Sequence, residues 1–440
     1  MAMINNGLSG LLAAQTALNT MSQNVANVNV PGYSRQEVLL SARQSGFGVM
    51  GGSGVQVTGL RRVADEFLTV QLWRAESDAG QRQQVSGYLG QLETVLGSED
   101  SSLLPGLNQF FASLHGAAET PQSIAPRQQI IASAEALAQR FNHLGSQLDA
   151  QERRVLDQLD ASNSQANSLL SQVAELNDKI KAVGAQGGSI GILEDQRDET
   201  LRQLSQLVEI RSSRQQDGTV NVNLPQGQPL VLGNQAAQIK RDDTELSVQF
   251  GTQEYSIDGN IGGSLGGLLL HREEQLLPAR AELNTIAQEM ADKVNQQLAQ
   301  GVDLNGQPGQ PLFTFTANDA AGSLNVADGF TAEQLALSGA TNPGPGNNDN
   351  LQALLGLEDA SYEAFRGMVG ELAITSAQWQ ADAAAAGNIR MEAQARRDGV
   401  SGVNLDEEAM NMMNYVQNYQ ANAKVIGTAD QLFNTLLNMI

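Results

Sequence analysis

The sequence predicts a mainly α protein with a β-rich insert, built from paired terminal coiled-coil helices, a long-helix bundle domain and a small outer β domain. Three observations carry that fold class. A heptad repeat occupies the carboxyl end, and the same spacing recurs in an uncharged stretch at the amino end. Between them, long helical periods give way to a period of two near the middle of the chain.

The carboxyl repeat is the most regular. Leu405, Met412, Tyr419, Ile426, Phe433 and Ile440 recur every seven residues, and Ala409, Val416, Ala423, Asp430 and Leu437 follow each by four. An apolar repeat of 3.5 keeps one seam against a partner helix, whereas a straight helix drifts away from it. Asn404 is placed to cap this helix, and Asp406, Glu407 and Glu408 suit its positive end. No stop signal precedes Ile440, so the helix is expected to dock along its whole length. Ordering a residue costs roughly 1–2 kcal/mol of backbone entropy, and burying a large apolar side chain returns roughly 1.5–3 kcal/mol. With about one seam position in every 3.5 residues, the segment should be ordered only where several helices surround it.

The remaining elements follow from the amino end. Residues Met1 to Ser34 carry no charged side chain, and Ile4, Leu8, Leu11, Gln15, Leu18, Ser22 and Val25 repeat the 4-3 spacing. Solvated helix faces are usually charged, so this one is expected to lie against protein. Asn27 to Gly32 stops the helix, with Pro31-Gly32 as turn punctuation. Strand-like pieces follow at Tyr33–Ser41 and Val55–Leu60, separated by a glycine-rich loop from Gly46 to Gly54.

From Val63 to about Val208 the pattern is helical, including Leu103–Leu114 with Phe110 and Phe111 and a very long helix with Pro126 in its first turn. Val220, Val222 and Leu224 then alternate after Asp217-Gly218. Leu246, Val248 and Phe250 alternate after Asp242-Asp243 and pair with Tyr255 and Ile257. Gly262–Gly267 leads back into a helix running from Leu269 to Leu298. A turn at Gly301–Gln310, a strand at Leu312–Thr316 and a loop at Asn342–Asn350 precede a helix from about Ser361 to Arg397, broken over Asp398-Gly399 to Val403. The resulting division is a terminal assembly module at 1–60 and 400–440, a bundle at 61–208, 262–300 and 351–399, and outer β-rich segments at 209–261 and 301–350.

Composition narrows the function. A formal charge of −22 argues against a sequence-independent grip on nucleic acid or anionic membrane. There is no cysteine, which removes disulfides and thiolate metal sites. No run of 18 apolar residues is present, so no membrane insertion is expected. The first basic residue is Arg35, so a cleaved signal peptide with a positive start is not expected either.

Chemistry is sparse. His115, His143 and His271 form no metal-ligand pair and are expected as exposed helix residues. Asp303-Leu304-Asn305-Gly306 has part of a calcium loop but lacks its closing Glu, so a plain turn is the better reading. Gly262–Gly267 lacks the Lys-Ser/Thr of a phosphate loop and reads as a hinge or close packing. Glu273-Glu274 lies on a helix, where a solvated face is the default. No nucleophile elbow occurs. The expectation is a protein that is not an enzyme, with no cofactor, no metal and no catalytic residue. Met410, Met412, Met413 and Met439 read as core filling or as a flexible binding surface.

The stretch Ala26 to Gln36, with Asn27, Asn29, Pro31, Gly32, Tyr33, Ser34 and Arg35, resembles the amino-terminal signature of the bacterial flagellar rod, hook and hook-associated axial proteins. Val403 to Glu408 and Tyr415–Ala429 are similar to the opposite end of that family. Tyr33 to Gln36, Val55–Arg62, Asp195-Gln196-Arg197-Asp198 and the Gly301 to Gly306 stretch are similar to its hook-associated branch at the hook–filament junction. The β insert appears short for the family.

The resemblance implies an extracellular structural subunit of the flagellum, exported unfolded by the flagellar type III route and polymerised as a ring between hook and filament. Implied partners are further copies of itself, the hook protein, the next hook-associated junction protein and an export chaperone at the carboxyl-terminal segment. The expected assembly interface is the pair of seams: Ile4, Leu8, Leu11, Leu18 and Val25, with Leu405, Met412, Val416, Tyr419, Ile426, Phe433 and Leu437. Competing readings are a hook or distal-rod subunit, a secreted coiled-coil adhesin or translocator, and a hydrolase carried on an axial protein.

Overall fold

A computed structural model describes residues 2–43, 54–98, 102–242, 245–257, 261–341, 343–344 and 346–437. Most of the expected Gly46–Gly54 loop, Asp243, parts of the Asn342–Asn350 loop, Met439 and the last seam residue Ile440 lie outside the described residues. Two compact units form: Met1–Gly80, Ser162–Ser264 and Ala385–Ile440 in the first, Gln81–Ala161 and Leu265–Ala384 in the second.

In the first unit, helix α1 (Ala2–Ala26) leads into a hairpin of β1 (Gln36–Ala42) and β2 (Val55–Arg62). Gln36 stands opposite Arg62 and Ala42 opposite Val55, with a register shift between Leu39 and Leu40. Helix α2 (Glu66–Gly97), the 62-residue α4 (Ile124–Ala185) and α10 (Glu358–Ser401) each contribute to both units, while α5 (Gly191–Leu207) and α11 (Leu405–Leu437) belong to the first. Asn404 caps α11 as expected, its Oδ1 accepting from the amides of Asp406 at 3.0 Å and Glu407 at 3.4 Å.

The break before α11 falls at the far end of the expected Asp398–Val403 stretch. Helix α10 runs through Asp398-Gly399, because Gly399 meets no neighbour and a helix tolerates glycine at about 1 kcal/mol. It stops at Gly402, whose amide reaches back to the Asp398 carbonyl at 2.8 Å.

The middle of the first unit carries two antiparallel sheets. One has the order β3 (Arg211–Arg214), β4 (Val220–Asn223), β5 (Pro229–Leu232), β6 (Gln235–Ala236). The other has β7 (Gln238–Asp242), β8 (Glu245–Phe250), β9 (Gln253–Ser256). Val222, Leu224, Leu230, Val231, Ile239 and Val248 are buried between strands and helix. Two asparagines of α4 stitch the strands to it. Asn167 exchanges two 2.8 Å bonds with the backbone of Ile239, and Asn177 accepts from the Val220 amide at 3.0 Å and donates to its carbonyl at 2.8 Å. Buried backbone groups at a strand edge need such partners. Strand β3 was not expected, because Arg-Ser-Ser-Arg has no apolar alternation.

The second unit holds α3 (Leu104–Ala117), α6 (Gly263–His271), which begins in the first unit, and α7 (Leu277–Ala299), the last two joined by a π-helical turn at Arg272–Leu276. Its core is an aromatic chain in which Phe110 lies 5.3 Å from Phe111 and 6.0 Å from Phe313, and Phe111 lies 6.0 Å from Tyr362. Residues 301–339 add two strand pairs, β10 (Gly301–Val302) on β13 (Ser338–Gly339) and β11 (Phe313–Thr314) on β12 (Asn325–Val326), with the short helix α8 (Ala320–Ser323), and α9 (Asp349–Leu355) follows. The strand expected at Leu312–Thr316 is shortened to two residues. The two stretches expected to share one outer domain, 209–261 and 301–350, therefore fall in different units. The first is bonded to α4 through Asn167 and Asn177, and the second folds over Phe313 and Arg127.

Arg127 is buried, and its guanidinium donates to three carbonyls: Pro121 at 2.6 Å, Ala332 at 3.1 Å and Leu335 at 2.5 Å. Burial pulls its pKa down to about 10, against the attraction of Asp303 and Glu333. Replacing Arg127 by Met strands those carbonyls, and the expected cost is about 2–4 kcal/mol of stability. Denaturant unfolding followed by circular dichroism checks this, and a change below about 0.5 kcal/mol would mean that the carbonyls find other partners.

Candidate functional site

The terminal helices α1 and α11 pack antiparallel within one chain, so each has the other as its helical partner. They approach closely. A Cβ at Gly10 would lie 2.5 Å from Asn422 Oδ1, and one at Gly7 would lie 2.8 Å from Ile426 Cγ1. Along α1 the protected line continues through Ala14, Ala17, Met21 and Asn24, and along α11 it comprises Glu408, Met412, Tyr415, Asn422, Ile426 and Ala429.

This corrects the expected register. On α1 the protected line lies one residue before Leu8, Leu11, Gln15, Leu18, Ser22 and Val25. On α11 Met412 and Ile426 keep their place, whereas Glu408, Tyr415, Asn422 and Ala429 replace Ala409, Val416, Ala423 and Asp430. Interaxial distance is set by the side chains at the contact. Small residues let the backbones come together, and the larger apolar side chains are displaced outward. A signal existed in the sequence, namely Gly7, Gly10, Ala14 and Ala17 at three- and four-residue steps.

Of the expected interface residues, Ile4, Leu11, Leu18, Met412 and Ile426 are half-buried. Leu8, Val25, Leu405, Val416, Tyr419, Phe433 and Leu437 are exposed, the last two at 55% and 57%. Met410 and Met413, read as core filling, are exposed as well.

The loop after α1 ties both ends of the chain together. Val30 and Tyr33 amides donate to Asn27 and Val30 carbonyls, forming successive turns, and the Asn27 side chain donates back to Gln23. Asn29 and Pro31 are exposed at the tip. Gly32 has φ +79°, the left-handed region that favours glycine, and a Cβ there would meet Glu199 at 3.0 Å. Tyr33 donates its hydroxyl to Asn24 Oδ1 at 2.8 Å, and its pKa is pushed up to about 12 by burial and by Asp195 and Glu408. The Asn24 side chain in turn bonds both backbone groups of Gln36.

Five hydrogen bonds then join distant parts of the sequence. The Ser34 amide donates to Asp195 Oδ2 at 3.0 Å. Arg397 donates to the Gly32 carbonyl at 2.8 Å and the Ser34 hydroxyl at 3.2 Å. Arg35 donates its amide to the Ser401 carbonyl at 2.8 Å and Nη1 to Glu407 at 3.1 Å. Behind the loop, Arg62 pairs with Asp195 at 2.7 Å and Asp198 at 2.6 Å, all three nearly buried. Burial pushes the Asp195 carboxyl above its ordinary value, and Arg62 and Ser34 pull it back in part. Sequence reasoning singled out Asp195 to Asp198 only through the resemblance, and it passed over Arg62, Arg397, Ser401 and Asn24 as contact makers. Their partners lie far away along the chain, so no local pattern marks them.

Other motifs resolve as structure. Gly262 and Gly263 both have positive φ, and a Cβ at Gly263 would lie 2.3 Å from the Leu207 backbone, which is close packing. Asp303 Oδ1 accepts from the amides of Asn305 and Gln307, closing the turn. His115 pairs with Glu358 and His143 with Gln147 on exposed surfaces. His271 departs from expectation: it is fully buried against Tyr88, and burial lowers its pKa to about 4. Among the described residues no helix is long and apolar enough to cross a membrane.

Comparison with known proteins follows the same map. The profile described as flagellar hook-associated protein FlgK helical domain matches residues 89–313. Residues 4–33 match the flagella basal body rod protein profile, and residues 399–439 match the flagellar basal body rod FlgEFG protein C-terminal profile. Flagellar hook-associated protein 1 of Escherichia coli is 29% identical over 546 columns, covering 100% of both chains. That of Salmonella typhimurium is 29% identical over 554 columns with the same coverage, and that of Bacillus subtilis 28% over 488, covering 97% and 96%. Against the 440 residues here, the enteric alignments leave more than a hundred columns without a counterpart in this chain. The solved structure of the flagellar hook junction protein FlgK from Burkholderia pseudomallei is similar with 31% identity and a TM-score of 0.52. That match covers 56% of this chain and about half, 47%, of the other.

Replacing Asp195 by Asn removes the buried carboxylate that holds both Ser34 and Arg62. Arg62 keeps Asp198 at 2.6 Å, so the expected cost is about 1–3 kcal/mol, from the weakened buried hydrogen bonds to Ser34 and Arg62. Hydrogen exchange at Ser34 and Arg35 should rise at least about tenfold. Unchanged exchange there would show that Arg397 alone holds the loop.

Proposed function

The chain belongs to the FlgK family of flagellar hook-associated proteins, structural subunits of the bacterial flagellum, and from that premise we propose that it polymerises as a ring that joins hook to filament. The observation that carries the proposal is the full-length match to flagellar hook-associated protein 1. The rod and FlgEFG profiles match only the two ends, which disfavours a hook or distal-rod subunit.

The outer faces of α1 and α11 are the assembly surface. Leu8, Val25, Val416, Tyr419, Phe433 and Leu437 point away from the intramolecular seam and need cover from neighbouring chains. Fully burying one such side chain contributes roughly 1.5–3 kcal/mol, so a few per subunit hold a closed ring. The hook protein on one side and the next junction protein on the other are the partners, with further copies around the ring. The subunit leaves the cell unfolded by the flagellar type III route, after a chaperone has covered the exposed methionines and Phe433 of α11. No catalytic role is assigned.

The structure separates two kinds of seam mutant. Ile426 lies against Gly7, so I426D disturbs the folded chain itself. Phe433 is outside the intramolecular contact, so F433D should leave the melting curve of the purified monomer within about 2 °C while abolishing incorporation. Motility of a complemented deletion strain and immunolabelling of isolated flagella read the result. Normal junctions with F433D would remove this face from the interface, and label along the whole hook would overturn the junction assignment.

A further inference from the structure

Where α11 begins, four buried polar atoms have no hydrogen-bond partner among the described residues: Arg35 Nε, Gln36 Nε2, Ser401 Oγ and Glu408 Oε2. Glu408 stands out among them. It is 1% exposed, while its neighbours Asp406 and Glu407 are exposed. A buried carboxylate is costly unless paired, and Glu408 lacks a dedicated counterion.

The groups around it explain why. From α1 comes Asn24, whose side chain holds both backbone groups of Gln36 and also hydrogen-bonds the Glu408 carboxyl, leaving Oε2 as the unpartnered oxygen. From the loop comes the Tyr33 ring, its hydroxyl turned to Asn24. From β1 come Arg35 and Glu37, and from α11 itself Glu407. The one cation among these described groups, Arg35, is drawn to the other two carboxylates, at 3.1 Å to Glu407 and 3.7 Å to Glu37. Glu408 therefore shares Arg35 with exposed Glu407 and with half-buried Glu37, which Arg61 also pairs at 2.8 Å. A place in the first turn of a helix favours the ionised form, but burial outweighs it.

We propose that Glu408 is a proton-operated catch that sets how firmly the first turns of α11 are seated on α1 and β1. Protonated, the side chain is neutral, fits its buried site and gains a hydroxyl donor. Ionised, it strains the seat at that end, while the Gly7–Ile426 end of the seam carries no such group. Burial pushes the carboxyl above its ordinary 4.5, Asn24 and Arg35 pull it down, and Glu37 and Glu407 push it up again, with a net rise. For a group whose folded pKa is raised, the stabilising contribution is complete below the free value and is lost as pH rises through the folded value. The seat is thus tightest below about pH 4.5 and loosens above it. This device acts within one chain whether or not the ring assignment holds.

Hydrogen exchange of the full-length monomer between pH 4 and 8, corrected for intrinsic chemistry, tests the catch. Protection within Leu405–Tyr415 should fall with rising pH by about tenfold for each unit by which the seated pKa exceeds the free one. E408Q should be flat and high across the range, whereas E407Q should keep the wild-type slope. A flat wild-type profile overturns the proposal, with or without a foldable E408Q. So does an E408Q chain that loses protection at pH 7, because the ionised carboxylate would then be what holds the helix.

Discussion

Everything at the chain ends depends on how near α1 and α11 come to each other. At Gly7 and Gly10 there is no room for a methyl group without moving Ile426 or Asn422. Interdigitation at that distance follows from packing at interior density, and it has a directional consequence. The closer the backbones, the fewer large side chains fit between them, so leucines and aromatics at neighbouring positions turn outward. The same contact that pairs the helices inside one chain therefore supplies the greasy outer surface on which assembly is proposed to act.

The second constraint is charge taken out of water in the loop after α1. Arg62 sits between two carboxylates from the Asp195 to Asp198 stretch, and Ser34 shares one of them. Arg397 and Ser401 reach the same loop from the far end of the sequence. A buried ion pair of this kind adds little net stability compared with apolar packing. What it does is specify one arrangement, because any other leaves a charge stranded. Residues separated by more than 150 positions are thereby held in a single register. Glu408 is the member of this neighbourhood whose charge is left without a dedicated partner, which is why its protonation state matters.

Much of the architecture was legible from residue patterns. Periods of 3.5 and 3.6 are properties of consecutive residues, and so are caps such as Asn404 and turns such as Asp217-Gly218. They place the long helices and β4, β8 and β9 with little ambiguity. Polar strands such as β3 escape that kind of reading, since their reason for being strands is the neighbour they pair with. Within the expected break from Asp398 to Val403 the helix ends only at Gly402 for a related reason: a glycine permits a bend but does not compel one.

By itself the sequence determined the helical ends, their lack of charge, the strand insert between helices and the resemblance to flagellar axial proteins. Tertiary structure alone decided which side of each terminal helix faces inward. A heptad read from apolar residues points to the bulkiest stripe, whereas the inward stripe of α1 is led by Gly7, Gly10, Ala14 and Ala17 and that of α11 carries Met412, Tyr415 and Ile426, because the free energy of packing depends on complementary volume across two helices. Complementarity is a property of pairs brought together in space, and no single stretch of chain carries it.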